Sequence, residues 1–160
     1  MIEIIEAESP EQIETARALF REYEAWFGMN LCFQNFDEEV AGLPGKYARP
    51  DGRLYLALAD GRPAGCIALR RLEDGICEMK RLYVRDEFRG RGLGVALIEQ
   101  ILADARALGC RKMRLDTFPA KMGKAVGLYE HYGFYPIPAY YHNPYGETLY
   151  LEKDLTTDFD

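Results

Sequence analysis

Between a strand pattern ending at Val84 and a helix pattern opening at Leu93 lies Arg89-Gly90-Arg91-Gly92-Leu93-Gly94. This junction restricts the fold more than any other stretch of the chain. Glycine lets a backbone come close to a ligand. The first N–H groups of a helix have no partner within it and point outward. The helix dipole adds partial positive charge at that end. Together these make a cradle for a pyrophosphate, to which Arg89 and Arg91 can add charge-assisted bonds. The string is not the GxGxxG of a dinucleotide fold, because its third glycine comes one residue early. Nor is it a P-loop, since no Gly-Lys-Ser/Thr follows. A strand-to-helix turn of the same composition without a ligand is the competing reading.

The rest of the chain fits around this junction. Residues 2–6 alternate as a short strand. Ser9-Pro10-Glu11-Gln12 offers an N-cap, a proline at the first helical position and a capping-box glutamine. The spacing of Ile13, Ala16, Leu19, Phe20, Tyr23 and Phe27 predicts a helix that Gly28 ends. A short helix is expected from Asn35, broken at Leu43-Pro44-Gly45. Segments 54–59, 64–72 and 76–84 read as strands joined by Asp60-Gly61-Arg62-Pro63 and Glu73-Asp74-Gly75, hence an antiparallel meander. Leu93, Leu97, Ile98, Ile101, Leu102, Ala105 and Leu108 recur at helical spacing up to Gly109. A strand over 111–117, a helix over 121–131 and strands near 133–137 and 147–154 complete the order βααβββαβαββ. This is an α/β or α+β arrangement with helices packed on a sheet, and a length of 160 residues suits one domain spanning 1–160.

Composition excludes several classes. The formal net charge of −6 argues against nucleic-acid binding, which wants a basic face. Lys80, Arg81, Arg85, Arg89 and Arg91 nevertheless concentrate positive charge in one segment, as a local anion site would; a solvated charge run is the alternative. No run of eighteen apolar residues is present and the start lacks a signal-peptide pattern, so a soluble, cytoplasmic protein with no membrane partner is expected. Cys32, Cys66, Cys77 and Cys110 form no CxxC pair and only His131 and His142 accompany them. No metal is implied, and the cysteines read as reduced core residues.

Arg89-x-x-Gly92-x-Gly94 resembles the Q/R-x-x-G-x-G/A motif of the GCN5-related N-acetyltransferase (GNAT) family, which binds the pyrophosphate of coenzyme A. The preceding Met79-Lys80-Arg81-Leu82-Tyr83-Val84 looks like that family's fourth strand. Ala125-Val126-Gly127-Leu128-Tyr129-Glu130-His131-Tyr132-Gly133-Phe134 is similar to its A-x-x-L-Y-x-x-x-G-F signature. The elements agree in order over nearly the whole chain.

The resemblance implies a mixed, mainly antiparallel sheet of about seven strands flanked by about four helices, and acetyl-CoA as cosubstrate. Backbone groups of Leu82, Tyr83 and Val84 would meet the pantetheine arm, and the N–H groups of Arg89, Gly90, Arg91, Gly92, Leu93, Gly94, Val95 and Ala96 the pyrophosphate. The family places a β-bulge in this strand, which would aim the N–H of Leu82 at the thioester carbonyl. Tyr129 would protonate the leaving thiolate. Glu78, eleven residues before Arg89, would take the proton of the amine, with His142 or an ordered water as alternatives. The acceptor would lie between Trp26 to Phe36, including Phe33, and the loop carrying Tyr140, Tyr141, His142, Asn143 and Tyr145. Asp116, at a strand end with no evident partner, is given no role. The implied activity is transfer of an acetyl group to a primary amine of a small molecule or peptide. A coenzyme-binding sensor without turnover is the alternative. Members of the family are often dimers, and no residue decides this for the present chain.

Overall fold

Residues 1–28, 35–141, 143 and 146–156 are described by the computed structural model, the side chain of Lys121 excepted. Strand β1 spans Ile2–Glu6 and helix α1 Pro10–Phe27. The capping box forms as expected: the Gln12 N–H donates to the Ser9 hydroxyl at 3.1 Å, and the Ser9 N–H donates to the Gln12 side chain at 3.0 Å. Helix α1 buries Ile13, Ala16, Leu19, Phe20 and Phe27 on one face. Helix α2 is short, Phe36–Ala41, and is held by the buried side chains of Phe36 and Val40.

Strands β2 (Arg53–Ala59), β3 (Arg62–Glu73) and β4 (Ile76–Val84) form the meander. Helix α3 (Leu93–Ala107) crosses over to β5 (Lys112–Thr117), which therefore runs parallel to β4. Helix α4 spans Pro119–His131, two residues earlier than its apolar pattern shows, because Pro119 supplies a fixed φ at the first helical turn. Strands β6 (Tyr135–Ile137) and β7 (Leu149–Asp154) close the sheet. The seven strands lie in the order β1-β2-β3-β4-β5-β7-β6, and every neighbouring pair except β4–β5 is antiparallel. One core packs Leu97, Ile98, Ile101 and Leu102 of α3 against Ile67, Leu69, Met79, Met113 and Leu115. The other packs Leu19 and Phe20 of α1 and Phe36 of α2 against Leu54, Leu56 and Ala68 on the opposite face. Cys66, Cys77 and Cys110 are buried free thiols, and no described helix is long and apolar enough to cross a membrane.

Two irregularities interrupt the middle of the sheet. The parallel pairing of β4 with β5 stops at Glu78 and Arg114. Beyond that point the strands diverge. Just past it, β4 takes three steps from Lys80 to Tyr83 while β3 takes two from Ala68 to Cys66. The extra residue is a β-bulge, with Arg81 at φ 62°.

Gly65 holds β3 against the far end of this bulged strand. A Cβ there would lie 2.6 Å from the Tyr83 carbonyl oxygen and 3.3 Å from the Val84 Cα. Because those are backbone atoms, no rotamer change relieves the clash. Gly65→Ala is therefore expected to destabilise the fold by about 2 kcal/mol, lowering the melting temperature by about 4–8 °C in a chain of this size. Thermal unfolding checks this, and an unchanged midpoint would mean the two strands do not approach so closely.

Candidate active site

The divergence of β4 and β5 leaves a narrow slot lined by Leu82 and the bulge on one side, Leu115 and Asp116 on the other, and Met122 and Tyr129 of α4. Sheet strands normally satisfy each other's backbone groups. Here the edges of β4 and β5 face a gap, so an extended ligand can supply the missing partners.

Beyond the end of β4 the chain turns through a short 3₁₀ segment, Asp86–Phe88, and enters α3. Gly90 and Gly92 have φ values of 82° and 81°, the left-handed region that favours glycine. Gly92 is the N-cap and carries no side chain to cap the helix; a Cβ at either glycine would meet no atom within 4 Å. The first intrahelical bond returns from the Ala96 N–H to the Gly92 carbonyl at 3.1 Å. The N–H groups before it remain open for a ligand. The two arginines are partly engaged. Arg89 donates from Nε to the Val84 carbonyl at 3.0 Å, meets Asp86 at 3.2 Å and lies over the Trp26 ring. Arg91 lies over Phe88, 4.0 Å from Asp60. The open backbone groups are donors that an anion could meet there, with the half-exposed guanidinium groups of Arg89 and Arg91 beside them.

Tyr129 is only 6% exposed and lines the slot. Its ring meets Phe134 edge to face. Among the described residues none hydrogen-bonds its hydroxyl. Burial, with smaller contributions from Tyr23 and Asp116, pushes its pKa well above the ordinary tyrosine value, so it is protonated throughout the physiological range.

Glu78 does not line the slot. It is 1% exposed, receives Arg70 Nε on Oε1 at 2.7 Å and accepts the Tyr140 hydroxyl on Oε2 at 2.7 Å. Both oxygens of the expected base are thus committed to protein groups. Tyr140, Tyr141 and Tyr150 form a mutual edge-to-face trio, and Asn143 donates to the Tyr141 hydroxyl at 3.4 Å. The acceptor-side expectations at Tyr140, Tyr141 and Asn143 therefore converge on one cluster. Those at Phe33, His142 and Tyr145 lie outside the described residues.

Two charged clusters beside the slot were not assembled by the sequence reading. Arg81, 2% exposed, makes a bidentate pair with Glu39 at 2.8 and 3.0 Å, and Lys46 joins from 3.2 Å. Lys80 approaches Asp116 Oδ1 at 3.5 Å, and the Tyr141 hydroxyl donates to Asp116 Oδ2 at 2.7 Å. Strand alternation carried the signal for Asp116: it is two residues beyond Arg114 and so shares its face. What the sequence lacks is the point at which β4 leaves β5, which turns a strand-end aspartate into a slot residue. Among the described residues no cluster of His, Cys, Asp and Glu is placed to hold a metal ion.

The described residues thus form a seven-stranded mixed sheet parted at its parallel pair, with a glycine-capped helix following the strand at the gap. The profile of the acetyltransferase (GNAT) family matches residues 10–134, and the chain belongs to that family. An uncharacterised N-acetyltransferase of Schizosaccharomyces pombe is 39% identical over 157 residues, 97% of this chain and 96% of its own length. A GNAT acetyltransferase of Staphylococcus aureus Mu50 shares the fold with a TM-score of 0.80 at 18% identity, over 97% of this chain and 99% of that one. The PaiA N-acetyltransferase of Thermoplasma acidophilum, crystallised with coenzyme A, superposes with a TM-score of 0.69 at 21% identity, over 96% and 99% of the two chains.

Proposed function

We propose that this protein transfers an acetyl group from acetyl-CoA to a primary amine, with both substrates bound together. The observation that carries the reading is the grouping of three features around β4: the open N-terminus of the helix α3 that follows it, its edge left unpaired beyond Glu78, and Tyr129 lining the slot at that edge. Pyrophosphate would take the N–H groups from Arg89 to Ala96. The pantetheine arm would extend β4 by pairing with the main chain of Leu82, Tyr83 and Val84. That places the thioester near the bulge, where the N–H of Leu82 serves as oxyanion donor, an interaction typically worth about 3 kcal/mol. The amine nitrogen attacks the carbonyl carbon as a free amine. The N–C bond forms, the C–S bond breaks, the departing thiolate is met by the Tyr129 hydroxyl, and the proton that the new amide nitrogen sheds passes to the thiolate or to solvent.

An ordinary phenol near pKa 10 already lies above a free thiol near 8.5, and burial raises Tyr129 further, so full proton transfer to the thiolate runs uphill. Tyr129 therefore acts mainly as a hydrogen-bond donor to developing charge on sulfur. Its removal should cost modestly: Tyr129→Phe is expected to lower kcat about 10- to 100-fold while leaving acetyl-CoA affinity within about twofold. Steady-state kinetics with calorimetry on the same preparation separates the two quantities. Equal loss of affinity and rate would make Tyr129 a wall of the slot rather than a participant in the reaction.

A further inference from the structure

The structure assigns Asp116 as the carboxylate that receives the acceptor's ammonium group, and Glu78 as a residue that positions Tyr140 behind it. This inference rests on the acetyl-transfer reading of the slot and deepens it by naming the acceptor as a cationic primary amine with hydrogens to donate.

The geometry separates the two carboxylates. Asp116 lines the same slot as Tyr129 and Leu82, where the thioester would lie. Its side chain is 14% exposed, so it is reachable, whereas Glu78 is sealed between Arg70 and Tyr140. Asp116 Oδ2 is satisfied by Tyr141 at 2.7 Å, but the contact to Oδ1, from Lys80, is long at 3.5 Å. Ordinary N–H···O bonds span about 2.7–3.2 Å. Oδ1 thus has capacity for a shorter, charge-assisted donor, and a primary ammonium in the slot supplies one.

The surroundings keep Asp116 ionised. Lys80 and Arg81 face it from β4 and Tyr141 from the β6–β7 connection, while Tyr23 of α1, Tyr129 of α4, and Tyr140 and Tyr150 beside Tyr141 face it as neutral phenols. Burial alone would raise its pKa, but the positive neighbours and the Tyr141 hydrogen bond outweigh that and lower it. A carboxylate so stabilised is a poor base for an alkylammonium near pKa 10.4. Its work is to bind and aim the cation. The proton lost before attack leaves through solvent at the open end of the slot, and the remaining N–H hydrogens stay oriented by Oδ1.

Tyr140 explains the role left to Glu78. Its hydroxyl donates to Glu78 and its ring packs on Tyr141, whose hydroxyl fixes Asp116. Glu78 therefore reaches the amine only through Tyr140, Tyr141 and Asp116.

The test uses native protein labelled with ¹³C at the aspartate and glutamate carboxyl carbons, saturated with coenzyme A and titrated with n-butylammonium chloride. One aspartate resonance, identified by its absence in Asp116→Asn and its displacement in Tyr141→Phe, should move in a saturable way. Tetramethylammonium chloride, with equal charge and no N–H, should leave it in place. For an amine that is turned over, Asp116→Asn should reduce kcat/KM at least about 100-fold, with acetyl-CoA affinity unchanged. Glu78→Gln should reduce it less than about tenfold, and Glu78→Asp should restore part of that loss. An unmoved Asp116 resonance, or a saturable shift of a glutamate instead, overturns the assignment. In ¹⁵N-labelled native protein, failure of coenzyme A itself to perturb the 89–96 amides would instead overturn the acetyl-transfer reading beneath it.

Discussion

Replacing Gly92 with aspartate is expected to lower acetyl-CoA affinity at least about 100-fold, equivalent to about 2.7 kcal/mol. A carboxylate at the N-cap would occupy the cradle that the pyrophosphate needs, and repel it at close range. Gly92 also holds φ 81°, which costs an L-residue about 1 kcal/mol of fold stability. The space around Gly92 is empty of protein atoms within 4 Å, so the side chain fits without disturbing the core. Thermal stability should therefore change by only a few degrees while binding is lost. Calorimetric titration alongside thermal unfolding reads both. A variant that unfolds readily but still binds when folded would place the anion site elsewhere.

The second large effect concerns the bulge. Glu39→Gln should destabilise the fold by about 3 kcal/mol, a fall in melting temperature of about 6–12 °C. Arg81 and Glu39 are both almost fully buried, and the variant leaves the guanidinium without its counter-charge. The pH dependence comes from the same pair. Burial would raise the Glu39 pKa, but the Arg81 hydrogen bonds and charge, with Lys46 and Lys80, bring it down to about 2 from 4.5. Since the folded value lies below the unfolded one, the contribution is full above about pH 4.5 and is lost as the pH falls toward 2. The gap corresponds to about 3 kcal/mol. Denaturant unfolding between pH 7 and pH 3 should show the wild-type losing stability faster than Glu39→Gln. Parallel curves would mean that the pair contributes nothing titratable. Because Arg81 sits at φ 62° in the bulge beside the slot, Glu39→Gln should also slow any turnover.

The legible parts of this protein are those set by local chemistry. Ser9 and Gln12 specify the start of α1 by groups three residues apart, and the structure forms both bonds. Asp74-Gly75 specifies a hairpin, and the glycines at 90 and 92 specify a backbone that other residues avoid. Among the described residues, the seven strands and four α-helices arise from such signals. Boundaries shifted where tertiary pairing extends a strand, as at Arg62 of β3, or where a proline opens a helix early, as at Pro119.

The acceptor side was only half legible. Its residues come from α2, β3, β4, β5 and the β6–β7 connection, and no local spacing ties Arg70 to Glu78 or Tyr141 to Asp116. Glu78 stands at a position suited to a base by its distance from Arg89, yet which way its oxygens are occupied depends on Arg70 and Tyr140, distant in sequence. Asp116 gained its meaning from a non-local event, the parting of β4 and β5.

The central claim is that this gap takes acetyl-CoA as a cosubstrate. Titration of the native protein with acetyl-CoA by calorimetry tests it most directly. The expected result is saturable one-to-one binding in the micromolar range, weakened by millimolar pyrophosphate competing for the α3 N-terminus. Absence of binding at millimolar acetyl-CoA would contradict it, and would leave a family member whose slot serves another ligand.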